Sequence, residues 1–282
     1  REIQILPQER DVFKAMPTAI QKLLSSVLAF FASSDSLVAS NLVERFQQDV
    51  TNPQAQAFYA WQNAMETVHS RGYGDLINVL IEDPVEQVKM FNAIQEVESV
   101  KKKGEWVQRW MKADAPFRQR VIAFALVEGL FFQGSFAIIF HLKQLGYEMP
   151  GLFQSNQFIS RDEEMHCEFA KLMYKLLYIK CTEEEVHVIV REAVECEREF
   201  MTEALPVDIV GMNQKMMAQY IEYTADNICT DLGVSRLFNV GNPFPWMESL
   251  ALEGKTNFFE HRPTDYQRTG TEVLSVVDNL DF

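Results

Sequence analysis

Two Glu-x-x-His pairs, Glu66/His69 and Glu163/His166, each fall in the middle of a long run with helical periodicity and large apolar neighbours. Residues three apart share a helix face, so each pair can present a carboxylate and an imidazole to one point. Each pair is preceded by a run carrying one isolated carboxylate. Asp35 follows the apolar run Val27-Leu28-Ala29-Phe30-Phe31 and precedes Glu66 by 31 residues; Glu128 lies in the most apolar stretch and precedes Glu163 by 35. Ionisable groups at core positions need a partner or a metal. A lone-carboxylate helix followed by a Glu-x-x-His helix, repeated, is the ligand pattern of a bundle that holds two metal ions between facing helices. Hard oxygen and imidazole donors without nearby thiolates suit iron or manganese rather than structural zinc. A third pair, Glu184/His187, sits in an acidic first turn and is expected to be a surface feature.

The rest of the chain reads as helices. Periodicity predicts helices over about Thr18 to Asp49, Gln54 to Glu82, Val85 to Val100, a short one around Trp106 and Trp110, Ala115 to Leu145, Asn156 to Leu177, Thr182 to Glu203 and Asp208 to Leu232. The breaks fall at Asn52-Pro53, Pro84, Met149-Pro150-Gly151 and Leu205-Pro206. Thr182 followed by Glu183, Glu184 and Glu185 reads as an N-cap with an acidic first turn. From Gly233 onward Gly, Pro and Asn become frequent and periodicity fades. No strand pattern or phosphate-cradling glycine loop stands out. The fold class is all-α, a bundle with an irregular C-terminal segment.

Charge and cysteines narrow the setting. A net charge of -14 with no basic stripe argues against nucleic acid as a partner, and Lys101, Lys102 and Lys103 read as a solvated helix end. The four cysteines form no CxxC pair, which fits a reduced, cytoplasmic location. Val121 to Phe140 is long enough to span a bilayer, but Glu128 near its middle favours a buried bundle helix over a membrane span. The chain begins at Arg1 rather than Met, so further residues are expected upstream.

Tyr73 lies four residues after His69 on the face that carries Glu66, a position from which a phenol could give one electron to the metals. On regular helices Phe132 and Phe136 stack after Glu128, and Ile159 lies four residues before Glu163, so the three could form a dry lining. Asp162, beside Glu163, could orient a metal-bound histidine.

Ser34-Asp35, Ala64 to Ser70 with Tyr73, Val127-Glu128-Gly129, and Ile159 to Glu163 with His166 together resemble the eukaryotic-type small, radical-generating subunit of class Ia ribonucleotide reductase. Glu203-Ala204-Leu205-Pro206, Gly254 to Glu260 and Tyr266-Gln267-Arg268 extend the resemblance over essentially the whole chain. It implies a ferritin-like di-iron helical domain over residues 1–265 and a flexible tail over 266–282 that docks to the large catalytic subunit. Asp35, Glu66 and His69 would hold the iron nearer the radical, and Glu128, Glu163 and His166 the other, with Glu66 and Glu163 bridging. Dioxygen would oxidise the centre, leaving a radical on Tyr73 within a pocket of Phe132, Phe136 and Ile159. Asp162 and Tyr266 would relay the radical equivalent; the tryptophan implied upstream of Asp35 would fall before Arg1. The resemblance also implies a homodimer active only with the large subunit, which makes deoxyribonucleotides. Another di-iron oxidase or oxygenase on the same ligand set is the alternative, and iron storage a third reading.

Overall fold

The computed structural model describes residues 5–41, 46–112, 115–204 and 209–247, with backbone alone for 35–41 and 111–112. Residues 1–244 form one compact unit and 245–282 a second, of which 245–247 are described. The helices are α1 (Pro7–Ala15), α2 (Thr18–Asn41), the single turn α3 (Gln47–Asp49), α4 (Pro53–Leu80), α5 (Pro84–Phe91), α6 (Ala93–Glu96), α7 (Glu98–Lys112), α8 (Phe117–Leu126), α9 (Gln133–Gln144), α10 (Pro150–Leu176), α11 (Glu183–Ala204) and α12 (Gln214–Leu232). A π-helical turn, Val127–Phe131, joins α8 to α9. Among the described residues the only extended pairing is an isolated bridge between Ile209 and Met212, closed by Gly211 at a φ of +80°. The fold is the all-α bundle expected.

Four elements make the centre. α2 packs on α4, the α8–α9 rod packs on α10, and α10 also touches α4. α11 and α12 cover the rod from the other side. The rod is the apolar stretch that is long enough to cross a membrane, and 94% of its most apolar 18-residue window is buried inside the bundle. Burial of its Val, Ile, Leu and Phe side chains is the main source of stability here, at about 1.5–3 kcal/mol per large side chain.

Local chemistry sets the helix ends. Asn52 Oδ1 accepts from the backbone N–H of Gln54 and Ala55, at 2.9 and 3.1 Å, with Pro53 in the first turn of α4. Thr182 caps α11 as expected, and Glu185 makes the cap reciprocal: Glu185 N–H donates to Thr182 Oγ1 and Thr182 N–H to Glu185 Oε2. Gly233, at a φ of +84°, ends α12 in the left-handed region. Buried Asp226 then accepts from the N–H groups of Leu237, Phe238 and Val240, which pins the irregular segment to α12.

Several expectations change. The helix expected over Val85 to Val100 is broken at Asn92 and again at Val97, and α7 runs unbroken through Trp106 and Trp110. At Asn92 the backbone leaves the helical region, at φ -101° and ψ 16°, and the side chain makes no capping bond there. α10 begins at Pro150 rather than near Asn156, because Pro at the first turn starts a helix as readily as it ends one. Lys103 is fully buried rather than solvated. Glu184 is exposed as expected, but its partner His187 is buried and its Nε2 lies 2.9 Å from the Ser235 carbonyl.

The start of α10 has a second support. Buried Glu9 of α1 accepts from the N–H groups of Gly151 and Leu152, at 2.9 and 3.1 Å, and from Leu6 N–H at 3.2 Å. A carboxylate there also faces the positive end of the helix dipole. Glu9→Ala should lower the unfolding free energy in urea by ~2 kcal/mol, because buried N–H groups lose a charged acceptor. A change under ~0.5 kcal/mol would show that the anchor contributes little.

Candidate metal centre

α4 buries Tyr59, Gln62, Glu66, His69 and Tyr73 on one face, at spacings of three and four residues. α10 buries Ile159, Glu163 and His166 on the facing side. The π turn contributes Glu128. Ligand-capable atoms of Glu66, Glu128, Glu163 and His166 all lie within 4.8 Å of one another, and all four residues are buried.

The contacts follow a definite pattern. His69 Nδ1 stands 3.3 Å from Glu66 Oε2 and 3.0 Å from Glu163 Oε1. His166 Nδ1 stands 3.0 Å from Glu66 Oε1 and 2.9 Å from Glu163 Oε2. Each of the two carboxylates therefore divides its oxygens between the two imidazoles, whose ring centres are 6.2 Å apart. His69 Nε2 faces the other way and lies 3.0 Å from Asp162 Oδ2. A carboxylate on Nε2 favours the tautomer that leaves the Nδ1 lone pair facing inward. Gln62 Nε2 donates to Glu128 Oε1 at 2.8 Å, so the side-chain amide orients that carboxylate.

Close approach is not the same as satisfaction. Among these contacts His166 Nδ1 meets Glu163 Oε2 with hydrogen-bond geometry. Both oxygens of Glu66, Glu163 Oε1, Glu128 Oε2 and His69 Nδ1 are buried without a hydrogen bond. Buried polar atoms are rarely left so, and here they surround one point. Such a donor set fits two divalent cations.

Electrostatics tell the same story. Burial, then the charges of Glu163 and Glu66, push the Glu128 carboxyl well above its ordinary range. Burial pushes the His166 imidazole down, but Glu163 and Glu66 reverse this and hold it up at about 9. His69 behaves alike: burial lowers it, and Asp162, Glu163 and Glu66 raise it further than burial lowers it. Burial raises Glu163, and the two histidines more than reverse that. The acids draw positive charge into the site, and metal ions can supply it.

Of the other expected residues, Tyr73 is buried and stacks on Phe31, ring centres 4.6 Å apart at 19°. Phe136 and Phe132 lie 5.1 and 5.8 Å from Phe31. Phe31 is thus the ring on Tyr73, and the sequence reading passed over it; its signal was its place one turn before Asp35 in α2. Ile159 is buried on α10. Asp35 lies on α2, but its side chain is outside the described residues, and Tyr266 is outside them altogether. Gln62 was also passed over, although it lies one turn before Glu66 on the same face.

Comparison with known proteins fits this geometry. Residues 6–243 match the family described as ribonucleotide reductase, small chain. The chain belongs to that family. The human ribonucleoside-diphosphate reductase subunit M2 is 54% identical over 248 residues, which is 88% of this chain and 64% of the human protein. The small chain of Vaccinia virus (strain Copenhagen) is 48% identical over 278 residues, 99% of this chain and 86% of the viral one. This chain therefore spans slightly less than two thirds of the human relative's length. Among solved structures, the Rnr4 homodimer of the ribonucleotide reductase from Saccharomyces cerevisiae superposes with a TM-score of 0.78 at 30% identity, covering 90% of this chain and 81% of that one. Family and cluster together identify a dimetal site.

The π turn is the local device behind Glu128. The expectation of one regular helix from Ala115 to Leu145 missed it, since nothing in the pattern of apolar residues marks it. Gly129 within the turn lets it approach α10: a Cβ there would stand 2.4 Å from Cys167 Sγ and 3.2 Å from Ile228 Cδ1. Gly129→Ala should cost about 1–3 kcal/mol in thermal or urea unfolding. Adding Cys167→Ala removes the closer atom and should restore part of the loss. Equal stability of Gly129→Ala and the unsubstituted chain would show that the approach is slack.

Proposed function

We propose that the chain is the small subunit of a ribonucleoside-diphosphate reductase, holding two iron ions and storing a one-electron oxidant on Tyr73. The observation that carries this is the sharing of two buried carboxylates between two buried imidazoles, with a sealed tyrosine on the same face of α4. Asp35, Glu66 and His69 would hold one ion and Glu128, Glu163 and His166 the other, with Glu66 and Glu163 spanning both. The site accepts manganese by the same chemistry, and iron is the occupant proposed. When bound, the ions supply the two-metal redox chemistry with dioxygen that withdraws an electron from the site.

The chain's residues do the rest. Tyr73 gives up one electron and its phenolic proton and becomes a neutral radical. Phe31, Phe132, Phe136 and Ile159 keep water from the ring, as their burial allows. Asp162 fixes His69 from behind and carries the radical equivalent toward Tyr266, which passes it to the large subunit. That subunit uses it to reduce ribonucleotides. The last residues, Asp278-Asn279-Leu280-Asp281-Phe282, dock to the large subunit as an acidic peptide with a terminal aromatic. The four cysteines are free thiols, in keeping with a reduced, cytoplasmic setting.

A homodimer is part of this reading. The outer face of α4 exposes Ala57, Ala60, Trp61, Ala64 and Val68, with Trp61 61% and Val68 60% accessible. Such an apolar stripe at helical spacing suits the matching face of a second copy.

Electron paramagnetic resonance tests the oxidant. Ferrous iron followed by oxygen should give a tyrosyl signal that Tyr73→Phe abolishes while iron binding persists. A signal that survives this substitution would assign the radical elsewhere. Docking is tested separately: removing the last seven residues should abolish association with the large subunit, seen by sedimentation, and leave the radical intact. Unchanged association would place the docking surface outside the tail.

A further inference from the structure

Lys103 on α7 has no place in the site described above, yet it is fully buried. Its Nζ lies 3.4 Å from the centre of the Phe30 ring, 4.2 Å from that of Phe200 and 4.9 Å from that of Phe131. It donates to the Phe131 carbonyl at 3.0 Å and stands 2.6 Å from Glu197 Oε2 of α11. Burial pushes the Lys103 ammonium down to about 8 and the Glu197 carboxyl up to about 7, each against the attraction of its partner. A buried pair of this kind contributes little net stability compared with apolar residues of the same volume. Its placement suggests another use.

Phe131 is the last residue of the π turn that carries Glu128. π turns widen the helix and disturb its regular backbone bonding, so they persist where neighbours hold them. Two side chains donate to backbone carbonyls at this one: Cys167 to Ala125, two residues before it, with Sγ at 3.4 Å, and Lys103 to Phe131 at its end. Glu197 meets the rod just beyond the turn, since a Cβ on Gly134 would lie 3.1 Å from Glu197 Oε1. The same ammonium touches Phe30, whose ring lies 5.5 Å from Phe132 and 5.8 Å from Phe31, the ring stacked on Tyr73.

We infer that Lys103, held by Glu197, is a positioning residue for the metal centre. Its bond to the Phe131 carbonyl fixes the π turn and thereby aims Glu128 at the second metal. The ammonium is anchored from α11 so that α7 can reach across to the rod. This rests on the dimetal reading of the site.

The test uses manganese(II) alone, added to the metal-free chain and followed by calorimetry and Mn(II) electron paramagnetic resonance, with amide hydrogen exchange over residues 127–132. The unsubstituted chain should bind two ions. Lys103→Met combined with Glu197→Leu removes both charges together, so the thermal midpoint should stay near that of the parent. One ion should nevertheless bind about 10–100-fold more weakly, the range seen when a ligand's support is removed, with the other within about twofold. Exchange over 127–132 should quicken. Lys103→Gln, which keeps a donor for the Phe131 carbonyl, should recover most of the affinity that Lys103→Met loses. Parental binding of both ions by the double variant, with unchanged exchange, overturns the inference. If the double variant does not fold, equal affinities of Lys103→Gln and Lys103→Met overturn it instead. Failure of the unsubstituted chain to bind two ions would overturn the dimetal reading and this inference with it, whereas two ions bound equally well by parent and double variant overturns this inference alone.

Discussion

Glu66 and Glu163 each face two imidazoles at once, and the bundle around them is organised by what that costs. Three described carboxylates and two histidines lie together in a region built from Phe, Leu, Ile and Val. Unpaired, each buried charge would oppose folding by several kcal/mol. Sharing oxygens between the histidines offsets part of this, and a pair of divalent cations would offset more. The need to aim five side chains at one point explains why α4 and α10 are among the longest helices. It also explains why each is secured at its start, by Asn52 in one case and by Glu9 in the other.

The groups around that centre each constrain one member of it. Asp162 sets His69, Gln62 sets Glu128, and Gly129 lets the π turn close on Cys167, the residue next to His166. Phe31 covers Tyr73 from α2. Lys103 and Glu197 extend this to a second layer: an ion pair that brings little stability holds the backbone from which Glu128 projects.

Much of this was legible in the sequence because helices report faces through spacing. Glu66/His69 and Glu163/His166 announce their own geometry, and Glu128 stands out as an acid in an apolar run. Asp35 was read by the same logic, although its side chain lies outside the described residues. What spacing could not carry was departure from regular spacing. The π turn leaves no trace in the apolar pattern, and neither does Phe31, the ring on α2 against which Phe132 and Phe136 both lie. Lys103 was misread because a lysine beside two other lysines looks solvated; its partner, Glu197, is remote in sequence and no local rule joins them. Asn92 and Val97 break a run that periodicity alone would have kept whole.

The central claim is that two carboxylates span two metal ions. Mössbauer spectroscopy of the chain loaded with ferrous iron and exposed to air addresses it most directly. The account predicts two high-spin ferric ions per chain, spin-coupled into a diamagnetic pair. One iron per chain, or two magnetically isolated irons, would contradict it.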